Sequence, residues 1–256
     1  MNRISAFCTR NIKELMRDPL SYIFCIAFPL VMLVIMSVIN TSIPPEAGMT
    51  VFRIDKLCPG IAMFGQTFVM LFTAITVAQD RAGSFLVRMY ATPMTSKDFT
   101  VGYLLPMMII AGVQAILTFI ASLITAVITG VTLEPLGMLV TFLTLIPSAL
   151  MFASIGLLFG TLFNEKAAPG MCSIIISLGS FLGSVFFDAE HTGGVMLDIC
   201  RCTPFFYCTK SARSALSLDL SVEGYIIPLA VVVASAAVFT ALASLAFGSK
   251  MRADLA

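Results

Sequence analysis

The chain has 256 residues, of which 59% are hydrophobic and only 11% are charged, and its mean hydropathy is +1.00. This composition leaves too little polar surface to cover a water-soluble protein of this size, so it predicts an integral membrane protein. The formal net charge of +1 argues against a nucleic-acid partner. The sequence contains no GxxxxGK(S/T), HExxH or GxGxxG motif, so we expect any energy source to be external.

Six uncharged windows predict six transmembrane helices. A bilayer core of about 30 Å needs roughly 20 helical residues, and each window is long enough. The predicted spans cover residues 20–39, 60–78, 101–128, 137–162, 170–187 and 225–247. The apolar runs are continuous and lack the period-two alternation of a barrel strand, so the predicted fold is an all-α polytopic membrane protein.

The distribution of Lys and Arg predicts that both termini are cytoplasmic. With six spans, this orientation places ten of the 15 basic residues inside, which agrees with the positive-inside rule. Residues 2–17 carry their apolar side chains on one helical face and their basic side chains elsewhere. We therefore expect 1–19 to be an amphipathic helix on the cytoplasmic leaflet, followed by a six-helix membrane domain at 20–256. The apolar face consists of Ile4, Phe7, Cys8, Ile12 and Leu15.

The predicted spans contain no Asp, Glu, Lys, Arg or His. Proton-coupled carriers and ion-selective pores generally rely on such groups, and so would an intramembrane enzyme. We therefore expect no catalytic residue, no metal site and no bound cofactor. Gln66 and Gln114 should find polar partners, and Tyr22, Tyr103 and Tyr225 should anchor span ends in the headgroup layer.

The fifth predicted span carries a stripe of small residues. Its serines recur at offsets of four, three and four, which places them on one helical face. Such a stripe should face protein, either as a subunit interface or substrate path or as close packing within one bundle. The stripe consists of Ser173, Ser177, Ser180 and Ser184, with Gly179 and Gly183 beside it. For Gly156 and Gly160 in the fourth span we expect close packing.

Four cysteines fall on the predicted extracellular side, namely Cys58, Cys200, Cys202 and Cys208. An oxidising exterior could join some of them, but the sequence leaves their connectivity open. On the cytoplasmic side, residues 80–97 mix charges with apolar side chains and predict a short amphipathic helix that Pro93 ends or bends. The residues alone allow this helix to lie on lipid, to be solvated or to be covered by a partner.

Three stretches of the chain carry motifs that occur in this order in one family. The first is RDP at 17–19, followed by a span that contains Phe28-Pro29. The second is QDRAGSFLVRMYATPMTSKDFTVGY at 79–103, similar to the coupling segment E-R-x-x-G-x-x-x-x-L-x-x-T-P-x-S, with Asp80 in place of the commoner Glu. The third is TPFFY at 203–207 through Arg213, similar to the N-P-L-x-Y…R hairpin motif, with Thr203 in place of Asn. Together they resemble the permease subunit of an ABC transporter of the ABC-2 (type V exporter) class.

The resemblance implies a cytoplasmic coupling helix seated on a separate ATP-binding subunit, and an extracellular helical hairpin before the last span. The residues that match the coupling motif are Asp80, Arg81, Gly83, Arg88 and Pro93. It also implies two permease copies, as a homodimer or a paralogue pair, with the first and fifth spans at their interface. That raises the expectation that the serine stripe lines an interface or path.

The function implied is ATP-dependent export of a hydrophobic or amphipathic compound, such as a drug, antibiotic, lipid or glycan, across a prokaryotic plasma membrane. ATP and Mg would be used by the partner subunit, so this chain would not itself be an enzyme. The alternatives are an ATP-independent channel or facilitator, and a structural or sensory membrane anchor.

Overall fold

The computed structural model describes residues 3–19, 23–44, 50–83, 85–90 and 94–254. Over these ranges the chain is helical and has no strand, which confirms the all-α class. The helices are α1 (Arg3–Leu15), α2 (Phe28–Ser42), α3 (Ile54–Ala82), α4 (Phe85–Tyr90), α5 (Ser96–Thr129), α6 (Pro135–Leu162), α7 (Ala167–Leu182), α8 (Ala189–Thr192), α9 (Gly194–Arg201), α10 (Pro204–Leu216) and α11 (Ile227–Asp254). A π-helical turn precedes α2 at Ile23–Ala27, and another precedes α11 at Val222–Ile226.

Five helical segments are long and apolar enough to cross a bilayer. They are Ile23–Ser42, Ile54–Ala82, Ser96–Thr129, Pro135–Leu162 and Val222–Arg252. The fifth predicted span corresponds to α7, which is apolar but has only 16 residues. Its predicted end at residue 187 is wrong, because the helix stops at Leu182 and Ser184 adopts the left-handed conformation with φ 55°.

Helix α3 is the centre of the bundle. It packs against α2, α5, α6, α7 and α10, and 83% of its most apolar window is buried. The corresponding windows of α2 and α11 are only 17% and 22% buried. The outer helices therefore present apolar side chains outward, as lipid requires.

Glycines allow α6 to approach α3 closely. A side chain at Gly156 would overlap the carbonyl oxygen of Met70, and one at Gly160 would lie 2.6 Å from the carbonyl oxygen of Ala74. Small residues at such crossings let two backbones come into van der Waals contact in a membrane. The packing interpretation of these two glycines is confirmed.

The large polar side chains in the spans find partners inside the protein. Gln66 donates from Nε2 to the carbonyl of Leu145 at 3.0 Å and accepts from the hydroxyl of Ser148 at 2.6 Å. Gln114 donates to the hydroxyl of Thr118 at 3.1 Å. The two bonds of Gln66 link α3 to α6, whereas the bond of Gln114 lies within α5. All three replace the water that a bilayer lacks.

The contacts define two ends of the bundle. At one end the last turn of α3 contacts α1, and Phe247 of α11 lies 5.6 Å from Phe99 of α5 between ring centroids. We call this the inner end. At the other end the first turn of α3 contacts α10 through Arg213. We call this the outer end.

We predict that Gly156→Ala lowers stability by about 1–3 kcal/mol, because the added methyl group overlaps the α3 backbone. The matched control is Gly170→Ala in α7, where an added methyl group meets no atom within 4 Å. The thermal midpoint of the purified protein in detergent should fall for Gly156→Ala and stay unchanged for Gly170→Ala. Equal midpoints would contradict the packing assignment.

Candidate functional site at the inner end

Asp80 lies in the last turn of α3, and its carboxylate is 6% exposed. Arg10 of α1 donates to it twice, from Nη1 to Oδ2 at 2.6 Å and from Nη2 to Oδ1 at 2.7 Å. The hydroxyl of Tyr103 in α5 donates to Oδ2 at 2.7 Å. A two-pronged arginine–carboxylate pair is strong and directional, so this cluster ties α1, α3 and α5 together.

Arg10 is held from several sides. Glu14 lies one turn away at 2.7 Å, and the guanidinium stands 4.1 Å from the ring centroid of Phe85 in α4. Burial disfavours its charged form, but hydrogen bonding and charge attraction from Asp80 and Glu14 outweigh burial and raise the pKa of Arg10. For Glu14, burial outweighs the attraction of Arg10, so its pKa is raised above the ordinary value.

The apolar face of α1 packs on the protein. Phe7 makes edge contacts with Phe99 at 5.5 Å and Tyr103 at 5.0 Å, measured between ring centroids. Asn11 is 1% exposed and donates to the carbonyl of Gly102 at 2.9 Å. A side chain at Gly102 would overlap the Phe7 ring. The expectation that this face lies on lipid therefore needs correction, because α5 covers most of it.

Helix α4 joins this assembly through its apolar side. Leu86 is 1% exposed, and Phe85 stacks on Phe7 at 6.4 Å between centroids. Arg88 lies on the exposed side of the same helix. Gly83 follows α3, and its N–H donates to the carbonyl of Gln79 at 2.8 Å. Helix α5 then begins at Ser96 and is capped by Thr95, whose N–H donates to the Asp98 carboxylate at 2.8 Å in a capping box.

Arg81, the residue after Asp80 in α3, points to α6 and caps it. Its Nη1 donates to the carbonyls of Gly160 at 3.1 Å and Phe163 at 3.3 Å, and also to that of Thr161. A cation satisfies the unpaired carbonyls and the negative end of the helix dipole at a helix C-terminus. Arg81 thereby links the inner ends of α3 and α6.

The family model for the ABC-2 type transporter matches residues 2–217, which extend from the start of α1 to the residue after α10. The chain belongs to the ABC-2 type transporter family. A comparison with curated proteins finds no match. The resemblance seen in the sequence is confirmed, and the chain is a membrane-spanning permease of the ABC transporter type.

The permease brings together four of the five residues that match the coupling motif. Asp80, Arg81, Gly83 and Arg88 lie at the inner end, while Pro93 and the neighbouring Thr92 fall outside the described residues. Asp80 and Arg81 are engaged within the permease, and Arg88 is exposed. Their predicted role in contacting an ATPase stays a prediction.

Sequence reasoning missed the partners of Asp80. It assigned Tyr103 to the headgroup layer, but this side chain is 1% exposed and hydrogen-bonded to Asp80. It placed Arg10 on a polar helix face without a partner. The sequence held one indication that Arg10 faces the protein: it lies one helical turn from Phe7 and from Glu14, at the border of the apolar face.

The four serines of the stripe differ in exposure. Ser173 and Ser177 are exposed, whereas Ser180 is 7% exposed and donates to the carbonyl of Ile176 at 2.7 Å. Ser184 lies beyond α7 and closes the following loop by donating to the carbonyl of Phe187 at 2.6 Å. The prediction that the four serines form one helical stripe is therefore wrong for Ser184.

The glycines beside the stripe face the bundle. Gly179 lies near Thr67 and Phe205, and a side chain at Gly183 would meet Met63 of α3 at 2.6 Å. Packing within one chain thus explains Gly179 and Gly183. Only Ser173 and Ser177 are placed to meet another molecule, and their role at an interface or path stays a prediction.

At the outer end, Arg213 of α10 is the matching arginine of the hairpin motif. It donates from Nε to the carbonyl of Lys56 at 3.1 Å and from Nη2 to the carbonyl of Val185 at 3.4 Å. Burial lowers the pKa of Arg213 to about 10, although Asp188 and Glu190 favour its charged form. The hairpin is thereby fastened to α3 and to the segment after α7.

The cysteines at this end are not joined. All seven cysteines of the chain are free thiols, and Cys202 is the exposed one. Burial raises the pKa of the Cys200 thiol, which favours its unreactive protonated form.

We predict that Asp80→Asn loosens α1 by about 2 kcal/mol, because it removes the more buried of the two carboxylates that pair with Arg10 and the only one that ties α1 to α3. Hydrogen–deuterium exchange should become faster across residues 3–15. The matched control is Glu14→Gln, which removes the more exposed of the two carboxylates on Arg10 and should change exchange little. Similar exchange in both variants would show that Asp80 does not hold α1.

Proposed function

We propose that the chain is the permease of an ATP-driven exporter, with ATP and Mg used by a separate ATP-binding cassette subunit. The observation that carries the proposal is the position of α4 in a chain of the ABC-2 family. Its exposed side presents Arg88, while Phe85 on its buried side contacts both Arg10 and Phe7. A displacement of α4 by a partner would therefore be passed to α1 and, through Asp80, to the central helix.

The arrangement of the ends supports six crossings with both termini in the cytoplasm. Helix α7 begins next to the inner end of α6 and is followed by Val185, which contacts Arg213 at the outer end. A 16-residue helix is about 24 Å long, so the segment after it completes a short crossing. The positive-inside count supports a cytoplasmic inner end, and the membrane proposed is a prokaryotic plasma membrane.

The proposed cargo is a hydrophobic or amphipathic compound that moves outward. ATP-driven alternation requires a membrane domain with two conformations that an external subunit can bias, and it needs no buried ion-coupling residue. The uncharged middles of the spans support this mechanism over ion-coupled transport. A second permease copy would complete the path, for which the exposed faces of α2 and α7 are available.

We predict that Arg88→Glu lowers stimulated ATP hydrolysis about tenfold, because a reversed charge at a partner contact repels its complement. The permease would be co-expressed with a candidate ATP-binding cassette subunit, and vanadate-sensitive hydrolysis would be measured in nanodiscs. The matched control is Arg201→Glu, which reverses another exposed charge, at the outer end.

Both variants should elute and melt like the parent protein, because no ion pair holds Arg88 or Arg201 among the described residues. Equal hydrolysis in the two variants would remove α4 as the coupling surface. Transport by the purified chain without any ATP-binding subunit would instead establish a facilitator.

A further inference from the structure

A polar cleft of about 630 Å³ opens at the outer end, along α10. Its walls come from the start of α3, the residues before α6, the loop after α7 and the segment that leads into α11. This volume lies in the range of sites that hold small molecules. We call it the outer cleft.

The outer cleft carries more negative than positive charge. Its cations are already engaged: Lys56 pairs with Asp188 at 3.7 Å, Lys210 pairs with Glu190 at 2.6 Å, and Arg213 donates to two carbonyls. Three further lining carboxylates have no ion-pair partner in the part of the chain that the structure describes, namely Glu134, Asp219 and Glu223. All three lie on exposed residues, so they attract a cation through solvent and the attraction should weaken with salt.

A second observation, independent of charge, also points to a ligand. Thr209 lines the outer cleft and is 1% exposed, and its hydroxyl has no hydrogen-bond partner among the described residues. A buried hydroxyl without a partner is costly, so most are satisfied by protein, water or a bound molecule. A ligand with a polar group at this depth would satisfy it.

The lining distinguishes between kinds of cation. Across the described residues no three His, Cys, Asp or Glu side chains are arranged to hold a metal ion. Leu133, Phe206 and Leu216 add an apolar wall to the same cleft. The Phe206 ring already has the ammonium of Lys210 at 5.9 Å from its centroid, so it contributes apolar surface only. Apolar surface beside unpaired carboxylates suits an organic ammonium group on an apolar body.

We propose that the outer cleft binds an amphipathic organic cation and is the outward-facing station of the transport path. The second half of this statement rests on the proposed function, and the binding itself does not. The cleft would receive the cation near Glu134 and Glu223 and place its polar substituent toward Thr209.

The test is calorimetric titration of the full chain in phosphatidylcholine nanodiscs, with empty nanodiscs subtracted. The probes are benzyltrimethylammonium and neopentylbenzene, its uncharged analogue with carbon in place of nitrogen. Benzyltrimethylammonium should bind, with weaker affinity at higher salt, and neopentylbenzene should bind at least tenfold more weakly. Equal affinity for both probes, or no binding of the cation, would overturn the proposal.

The double variant Glu134→Gln with Glu223→Gln locates the site. It should weaken binding of benzyltrimethylammonium about tenfold, since two of the unpaired charges are removed. The matched control is Asp198→Asn, which removes one exposed carboxylate of the same end that does not line the cleft. It should leave the affinity unchanged, and equal losses in both variants would place the binding outside the outer cleft.

Thr209→Val separates a ligand contact from a structural role. It should weaken binding of benzyl(2-hydroxyethyl)dimethylammonium about threefold while leaving benzyltrimethylammonium unaffected, because only the first probe can bond the hydroxyl. The thermal midpoint should not fall, since no protein hydrogen bond is lost. A lower midpoint with unchanged binding would contradict the assignment of Thr209. The assay contains no ATPase, so its result stands apart from that of the coupling experiment.

Discussion

The inner half of the permease depends on a single buried carboxylate. Asp80 accepts two hydrogen bonds from Arg10 and one from Tyr103, and these three residues come from three helices. Removing a carboxylate from water is costly unless its lone pairs are satisfied, and here the charge-assisted bonds do so. The amphipathic helix is therefore fixed by geometry as well as by its apolar face, and it becomes part of the bundle.

The periodicity of apolar residues and the placement of charges were sufficient to predict the helical class and the approximate positions of the long helices. Five of the predicted spans overlap the five long apolar helices of the structure. The reason is that an uncharged apolar run can satisfy its backbone hydrogen bonds in lipid only as a helix. The segment at 79–103 was singled out by its motif, its coupling role stays a prediction, and Pro93 within it lies outside the described residues. The pairing of Arg10 with Asp80 could not be read, because 70 residues separate them and local spacing carries no information on such contacts.

The errors have a common physical origin. An uncharged run of sequence does not show where a helix ends, so α7 was extended past Leu182 to include Ser184, which instead closes a loop. Amphipathicity shows that one face must be covered, but lipid and protein cover it equally well. Tyr103 and the apolar side of α1 were therefore assigned to the membrane although α5 and α1 cover each other.

The fastening of α3 at both of its ends has a mechanical consequence. Asp80 joins its inner end to α1, and Arg213 joins the outer hairpin to its first turn. A helix of 29 residues is about 43 Å long, so tilting it by about 5° about one end moves the other by about 4 Å. A small angular change at the inner end would thus produce, at the outer end, a displacement large enough to open or close a passage for a single small molecule.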